Sequence, residues 1–216
     1  MERIRSRIIT GLAALALAGG ALAAAGPVAS AATPACGASC VTLLSQAFGT
    51  SKVMAVYSPR FAMPGKGQSV VLSAAGNFSS EDWHAVLIGK VSDLYALGIV
   101  TATVDHAWPS NEVFEFQYTP NGKYSSSCLA ASATAANGTA VILQPCGISS
   151  LTLWIPLTYD SSGNFMPLIN GSDKAVTAPY VLTTGPVGTS LVTAALSTAT
   201  GSVNPAQMWQ SVFGPL

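Results

Sequence analysis

The chain has 216 residues, half of them hydrophobic, and its 8% of charged residues divide evenly into nine Lys/Arg and nine Asp/Glu. Such a balance excludes a basic surface for nucleic acid, and the abundance of Val, Leu, Ile and aromatics excludes a disordered chain. With so few charges, much of the solvated surface must be hydroxyl, amide and backbone, on a chain whose length suits one domain or one plus a short extension.

At the start, Arg3, Arg5 and Arg7 precede an almost uncharged apolar stretch from Ile8 to Ala25, followed by Pro27 and Ala29-Ser30-Ala31. This is the pattern of a secretory signal peptide over residues 1–32, cleaved after Ala31 or Ala32, and the small residues favour removal over a membrane anchor. No later apolar run is long enough to span a bilayer. The product is therefore expected to be secreted, slightly acidic, and without a membrane span after cleavage.

Residues 33–50 form an expected N-terminal extension containing Cys36 and Cys40, with a helix around Cys40 to Phe48. Cys128 and Cys146 complete an even set of four cysteines, and in an oxidising compartment disulfides are expected. Three connectivities are possible. Cys128–Cys146 is favoured because it brackets a strand-turn-strand segment and closes a loop worth about 3 kcal/mol in the unfolded-chain picture; Cys36–Cys40 then follows by elimination. His84 and His106 stand apart from any second ligand set, so neither a metal nor another cofactor is expected.

Residues 51–216 read as one domain of three repeats, at about 52–95, 113–160 and 165–216. Gly67 to Trp83 aligns without a gap on Gly138 to Trp154, sharing Gly67/Gly138, Val70/Val141, Leu72/Leu143, Gly76/Gly147, Ser79/Ser150 and Trp83/Trp154. The shared Val and Leu lie two apart, on one face of a strand, and the glycines fall where turns belong. A looser third copy begins "GTSLVTAAL" at Gly188 and ends "QMW" at Gln207 to Trp209. Units that cannot bury their apolar faces singly pack round a shared core, for which Trp83, Trp154 and Trp209 supply the bulk.

Between the first two repeats, "LYALGIVTATV" and "NEVFEFQY" read as strands, the second with Phe114, Phe116 and Tyr118 on one buried face. Ala85 to Gly89, Phe165 to Ile169 and Pro179 to Thr183 are further strand candidates, and "PNGK", "ANGT", "SSGN" and "INGS" are turns. The chain reads as all-β.

No catalytic framework emerges. Gly-x-Ser-x-Gly is absent, Asp105 is badly placed to orient His106 because strand neighbours face opposite ways, and Glu112 and Glu115 read as edge charges that discourage pairing between molecules. No enzyme activity is expected.

The stretch "CLAASATAANGTAVILQPCGISSLTLW", Cys128 to Trp154, resembles one repeat of a ricin B-type β-trefoil lectin, whose pattern runs Cys-Leu-Asp, Gly-x-x-Val-x-Leu, a second Cys and Gln-x-Trp. "VFEFQYTPNGKYSSSC", "PLINGS", "PYVLT" and "MWQSVFGPL" further resemble a group of secreted actinobacterial proteins. The lectin likeness implies a barrel of six strands capped by three hairpins, with shallow sugar pockets between turns. It also implies an acid two residues after the first Cys, where this chain has Ala130. Counting eight residues back from each repeat's Gly gives Pro59, Ala130 and Tyr180, none a carboxylate, while the Gln of Gln-x-Trp is Glu81 in the first repeat and Thr152 in the second. If one carbohydrate site of the lectin kind survives, the resemblance places it in the third repeat, with Gln207 intact, Tyr180 as a stacking face and Asp173 near in sequence.

The leading expectation is a non-catalytic secreted module for extracellular glycan or another cell-surface polymer. A structural or protective cell-envelope exoprotein with no small-molecule site is the first alternative. An inhibitor of secreted hydrolases, presenting Arg60 and Lys66 in "SPRFAMPGKGQ", is the second.

Overall fold

Among the described residues the chain forms twelve strands in three sets of four. The first set is β1 Cys40–Ser45, β2 Lys52–Val56, β3 Val70–Ala74 and β4 Trp83–Lys90; the second is β5 Glu112–Tyr118, β6 Ser127–Ala131, β7 Thr139–Pro145 and β8 Leu153–Pro156. The third is β9 Leu168–Asn170, β10 Tyr180–Thr183, β11 Val192–Ala195 and β12 Trp209–Phe213. The computed structural model describes residues 40–49, 51–57, 65–76, 78–157, 165–198 and 202–213, all within the unit Ala31–Leu216. The expected signal peptide, Cys36 and the turn "SSGN" lie outside the described residues.

The first and last strands of each set close a barrel. β1 pairs with β4, β4 with β5, β5 with β8 and β8 with β9, all antiparallel. A bridge from Met166 to Trp209 leads to β12, and β12 returns to β1 through the register Val41↔Phe213 to Ser45↔Trp209. Closure leaves these six strands with no open edge. The middle strands make the hairpins β2–β3, β6–β7 and β10–β11. This is a β-trefoil, as the repeats predict.

The hairpins are locked together by the glycine that each repeat shares. Gly67, Gly138 and Gly188 have φ of 83, 80 and 82°, the left-handed region that a side chain resists. That turn aims each amide at the next hairpin: Gly67 donates to the carbonyl of Leu143 at 2.7 Å, Gly138 to Thr193 at 2.8 Å and Gly188 to Leu72 at 2.7 Å, completing a ring.

The three tryptophans share one core. Trp83, Trp154 and Trp209 are fully buried in a single cluster with Leu72, Leu143, Leu129 and Leu182. Each ring removes enough surface from water to contribute about 4–6 kcal/mol as an upper estimate. Their indole N–H groups donate to Met54 O at 3.3 Å, Leu129 O at 3.0 Å and Leu182 O at 3.0 Å. Each tryptophan thereby pins the first strand of its own hairpin, and none of these three buried indole N–H groups is left unpaired.

Three expectations are corrected. The helix foreseen around Cys40 to Phe48 is strand β1 followed by a 3-10 turn at Gln46–Phe48. All six residues of β1 are buried, so the strand has no polar face to reveal its period. For the same reason residues 40–45, assigned to an extension outside the trefoil, are its first barrel strand.

"LYALGIVTATV" is not a strand but spans parts of two short helices, α1 Val91–Ala96 and α2 Ala102–Ala107. Gly98, at φ 73°, turns the chain between them, and the Thr101 hydroxyl caps α2 by accepting the Val104 N–H at 3.4 Å. Val91, Leu94, Val100 and Val104 pack with Val113, Leu153, Ile155, Ile169 and Val181 in a second core, and this burial overrides the β preference of Val. No helix among the described residues is long and apolar enough to cross a membrane.

Candidate functional site

The trefoil's own symmetry locates the three positions at which the lectin pattern demands an acid. Met54, Leu129 and Leu182 are equivalent, since each accepts a tryptophan N–H and each pairs with an equivalent partner: Leu72, Leu143 and Thr193. The residues that follow are Ala55, Ala130 and Thr183. Counting back from glycine reached Pro59 and Tyr180 instead, because the hairpin turns differ in length while the strand register does not. No carboxylate stands at any of the three positions. Ala55 and Ala130 are buried.

A second set of equivalent positions lies at Gln-x-Trp. In the third repeat Gln207 is buried, its Oε1 accepts the Ser197 N–H at 2.8 Å, and its Nε2 donates to Ala195 O at 2.8 Å and Thr183 Oγ1 at 3.2 Å. In the first repeat Glu81 Oε2 takes the corresponding amide, Gly76 N–H, at 3.3 Å. Thr152 is too short to reach. In the second repeat Glu115 Oε1 accepts instead from Gly147 N–H at 3.4 Å, Ile148 N–H at 3.0 Å and the Thr152 hydroxyl at 2.6 Å.

Glu115 is thus a buried structural acceptor and not the edge charge that the sequence suggested; Glu112 is exposed. β5 is covered on both faces. Val113 faces the second core while Phe116 and Tyr118 join the first. Beside Trp83, at a ring separation of 5.7 Å, the Tyr118 hydroxyl is pushed up to about 12, by burial first and by the Asp82 carboxylate second.

Asp173 is fully buried and organises a loop. Its Oδ1 accepts from Ala175 N–H at 2.8 Å and its Oδ2 from Tyr180 N–H at 3.1 Å. Burial raises its carboxyl above the ordinary range, and the amides of Ala175, Tyr180 and Lys174 pull the other way. Tyr180 is half-buried and pairs across the hairpin with Ala195, the residue whose carbonyl receives Gln207. The structure therefore connects Asp173, Tyr180 and Gln207 through the backbone, with the polar atoms of Asp173 and Gln207 engaged by main chain or by Thr183.

A cleft of about 460 Å³ opens between α2 and residues 175–179. Trp108, His106 and Thr103 line one wall; Thr177 and Pro179 line the other. The Thr101 hydroxyl donates to the Asp173 carbonyl, and Thr101 N–H donates to Gly171 O at 3.4 Å, so the two walls are tied at their base. Sequence reading did not select this place. The available signal was that Trp108 is the one tryptophan of four outside the repeats.

The remaining candidates are dispersed. His84 packs edge-on against Tyr124 at 4.9 Å, and no hydrogen bond joins Asp105 to His106 among the described residues. Among those residues no group of three or more His, Cys, Asp or Glu is placed to hold a metal. Cys128 and Cys146 form the favoured disulfide, bridging β6 and the turn after β7. Cys40 is also disulfide-bonded, and its expected partner Cys36 lies outside the described residues. So does Arg60 of the inhibitor loop, whereas Lys66 occupies an exposed turn.

No protein-family model and no curated protein matches the chain. Solved structures of similar fold include the designed threefold-symmetric protein ThreeFoil, with a TM-score of 0.55 and 13% identity over 81% of this chain and 98% of that one. A ricin B-like lectin of Macrolepiota procera in complex with lactose gives a TM-score of 0.52 and 11% identity over 83% and 97%. The β-trefoil lectin of the Vibrio vulnificus hemolysin/cytolysin with N-acetyl-D-lactosamine bound gives 0.50 and 15% over 82% and 96%. At these identities the likeness is one of fold: the chain is a β-trefoil.

Proposed function

We propose that the protein is a secreted, non-catalytic module that binds extracellular glycan or another cell-surface polymer. The observation that carries this reading is the closed trefoil with three tryptophan-pinned hairpins, a fold similar to that of the Macrolepiota procera lectin in complex with lactose and the Vibrio vulnificus lectin with N-acetyl-D-lactosamine bound. A leader followed by a sparsely charged, disulfide-bonded domain suits an extracellular setting. The loss of an acid at Ala55, Ala130 and Thr183 removes charge-assisted hydrogen bonds worth about 1.5–3 kcal/mol each, so galactose-type recognition through those three pockets is not expected.

That loss also favours a second reading, a structural or protective exoprotein without a small-molecule site. A glycan array separates the two. Saturable binding to at least one glycan, abolished by a single aromatic substitution that leaves the fold intact, supports the module; a uniformly blank array favours the exoprotein.

A further inference from the structure

We infer that the cleft between α2 and residues 175–179 is the sugar-binding site, taking one neutral, hydroxyl-bearing ring against Trp108; this rests on the glycan-binding reading above. The helical insertion between β4 and β5 stands outside the threefold pattern, since α1 and α2 are the only α-helices among the described residues. It contributes nothing to barrel closure. What it does build, together with the loop that Asp173 holds, is the cleft.

The lining selects the chemistry. Trp108 packs on the second core and also borders the cleft, so its indole is held in place. Thr103, His106 and Thr177 supply two hydroxyls and an imidazole, and among the described residues none of these side chains, nor the Trp108 N–H, has a hydrogen-bond partner. No Asp, Glu, Lys or Arg borders the cleft. An apolar ligand would leave the polar groups unpaired, and a charged ligand would find no counter-charge. A pyranose satisfies both demands, with C–H groups against the indole and hydroxyls toward groups that can donate and accept.

Preorganisation and size agree with this assignment. The walls are joined by the Thr101 contacts to Asp173 and Gly171, and the loop is held by both Asp173 oxygens, so little ordering is left for the moment of binding. Asp173 acts here as a positioning residue, out of reach of the ligand. The volume of about 460 Å³ lies within the usual range for small-molecule sites.

The test uses the purified protein on an array of neutral oligosaccharides ending in galactose, glucose, mannose or N-acetylglucosamine, followed by calorimetric titration of the strongest binder. Ala107 is exposed on the cleft wall, so Ala107→Arg fills the cleft without disturbing the core. Ala107→Arg and Trp108→Ala are each expected to weaken binding at least about tenfold, with Trp108→Phe retaining part of it and Thr183→Val unaffected. Should Trp108→Ala fail to fold, Ala107→Arg carries the test, checked by an unchanged melting temperature. Wild-type binding that survives Ala107→Arg overturns the cleft while leaving the glycan reading in place, and loss on Thr183→Val moves the site to the third trefoil pocket. If the wild type binds nothing on this neutral array, the cleft assignment is overturned, whereas the glycan reading falls only with a blank across the full glycan array.

Discussion

Glu115 shows how one residue can hold a function that its symmetry mates perform differently. The amide after each hairpin's second strand needs an acceptor, and Gln207 and Glu81 provide one from the Gln-x-Trp position. Where Thr152 falls short, Glu115 reaches in from β5 and also anchors Ile148, whose φ of 51° is costly for a β-branched residue. Glu115→Ala is therefore expected to cost about 3 kcal/mol in urea unfolding, with Thr152→Ala nearer 1 kcal/mol. Equal small effects would show that water replaces the carboxylate. Asp173 yields a pH-dependent counterpart. Because its folded-state value is raised, its favourable contribution is full below the unfolded carboxylate value and is lost as pH rises through the raised one. Asp173→Asn should flatten that fall in stability across the carboxylate range, measured as melting temperature against pH. Neither role is written in the local sequence: Glu115 alternates with Phe114 and Phe116 as a surface residue would, and its partners come from the 147–152 turn, remote in the chain.

At the level of elements, the hairpins were legible and the insertion was not. A strand with one solvated face announces itself by alternation, and a turn by Gly and Asn, which is why β3, β7 and β11 can be aligned by eye. Gly138 carries the clearest consequence. Its φ of 80° and its hydrogen bond to Thr193 predict that Gly138→Ala costs about 1–2 kcal/mol through backbone strain alone. The cost should appear as a lower urea midpoint with unchanged slope, whereas no change would mean that the turn relaxes. Space around the position is open, so a steric clash is not the cause. The α1–α2 segment misled because Val and Ile favour strands in general. Its helical form depends on Gly98, on the Thr101 cap and on a core assembled from β8, β9 and β10, which are remote in sequence.

The whole molecule is held by closure. β1 meets β12 along five residue pairs, so the two ends of the described chain are neighbours in one barrel. A stop after Met208 removes β12 and Trp209 together, opening the barrel and leaving a tryptophan-sized void in the core. That chain is expected to lose cooperative unfolding altogether, followed by near-ultraviolet circular dichroism; a retained sharp transition would mean that two repeats suffice. Repetition of Gly, a paired Val and Leu, and Trp determined by itself that three like hairpins would gather round three indoles, because such faces are stable only when buried together. The candidate cleft, the carboxylate that replaces a glutamine and the true equivalents of the lectin acid were decided by tertiary structure alone. Each arises where residues distant in the chain meet, and spacing along a sequence fixes register within a hairpin but not across turns of unequal length.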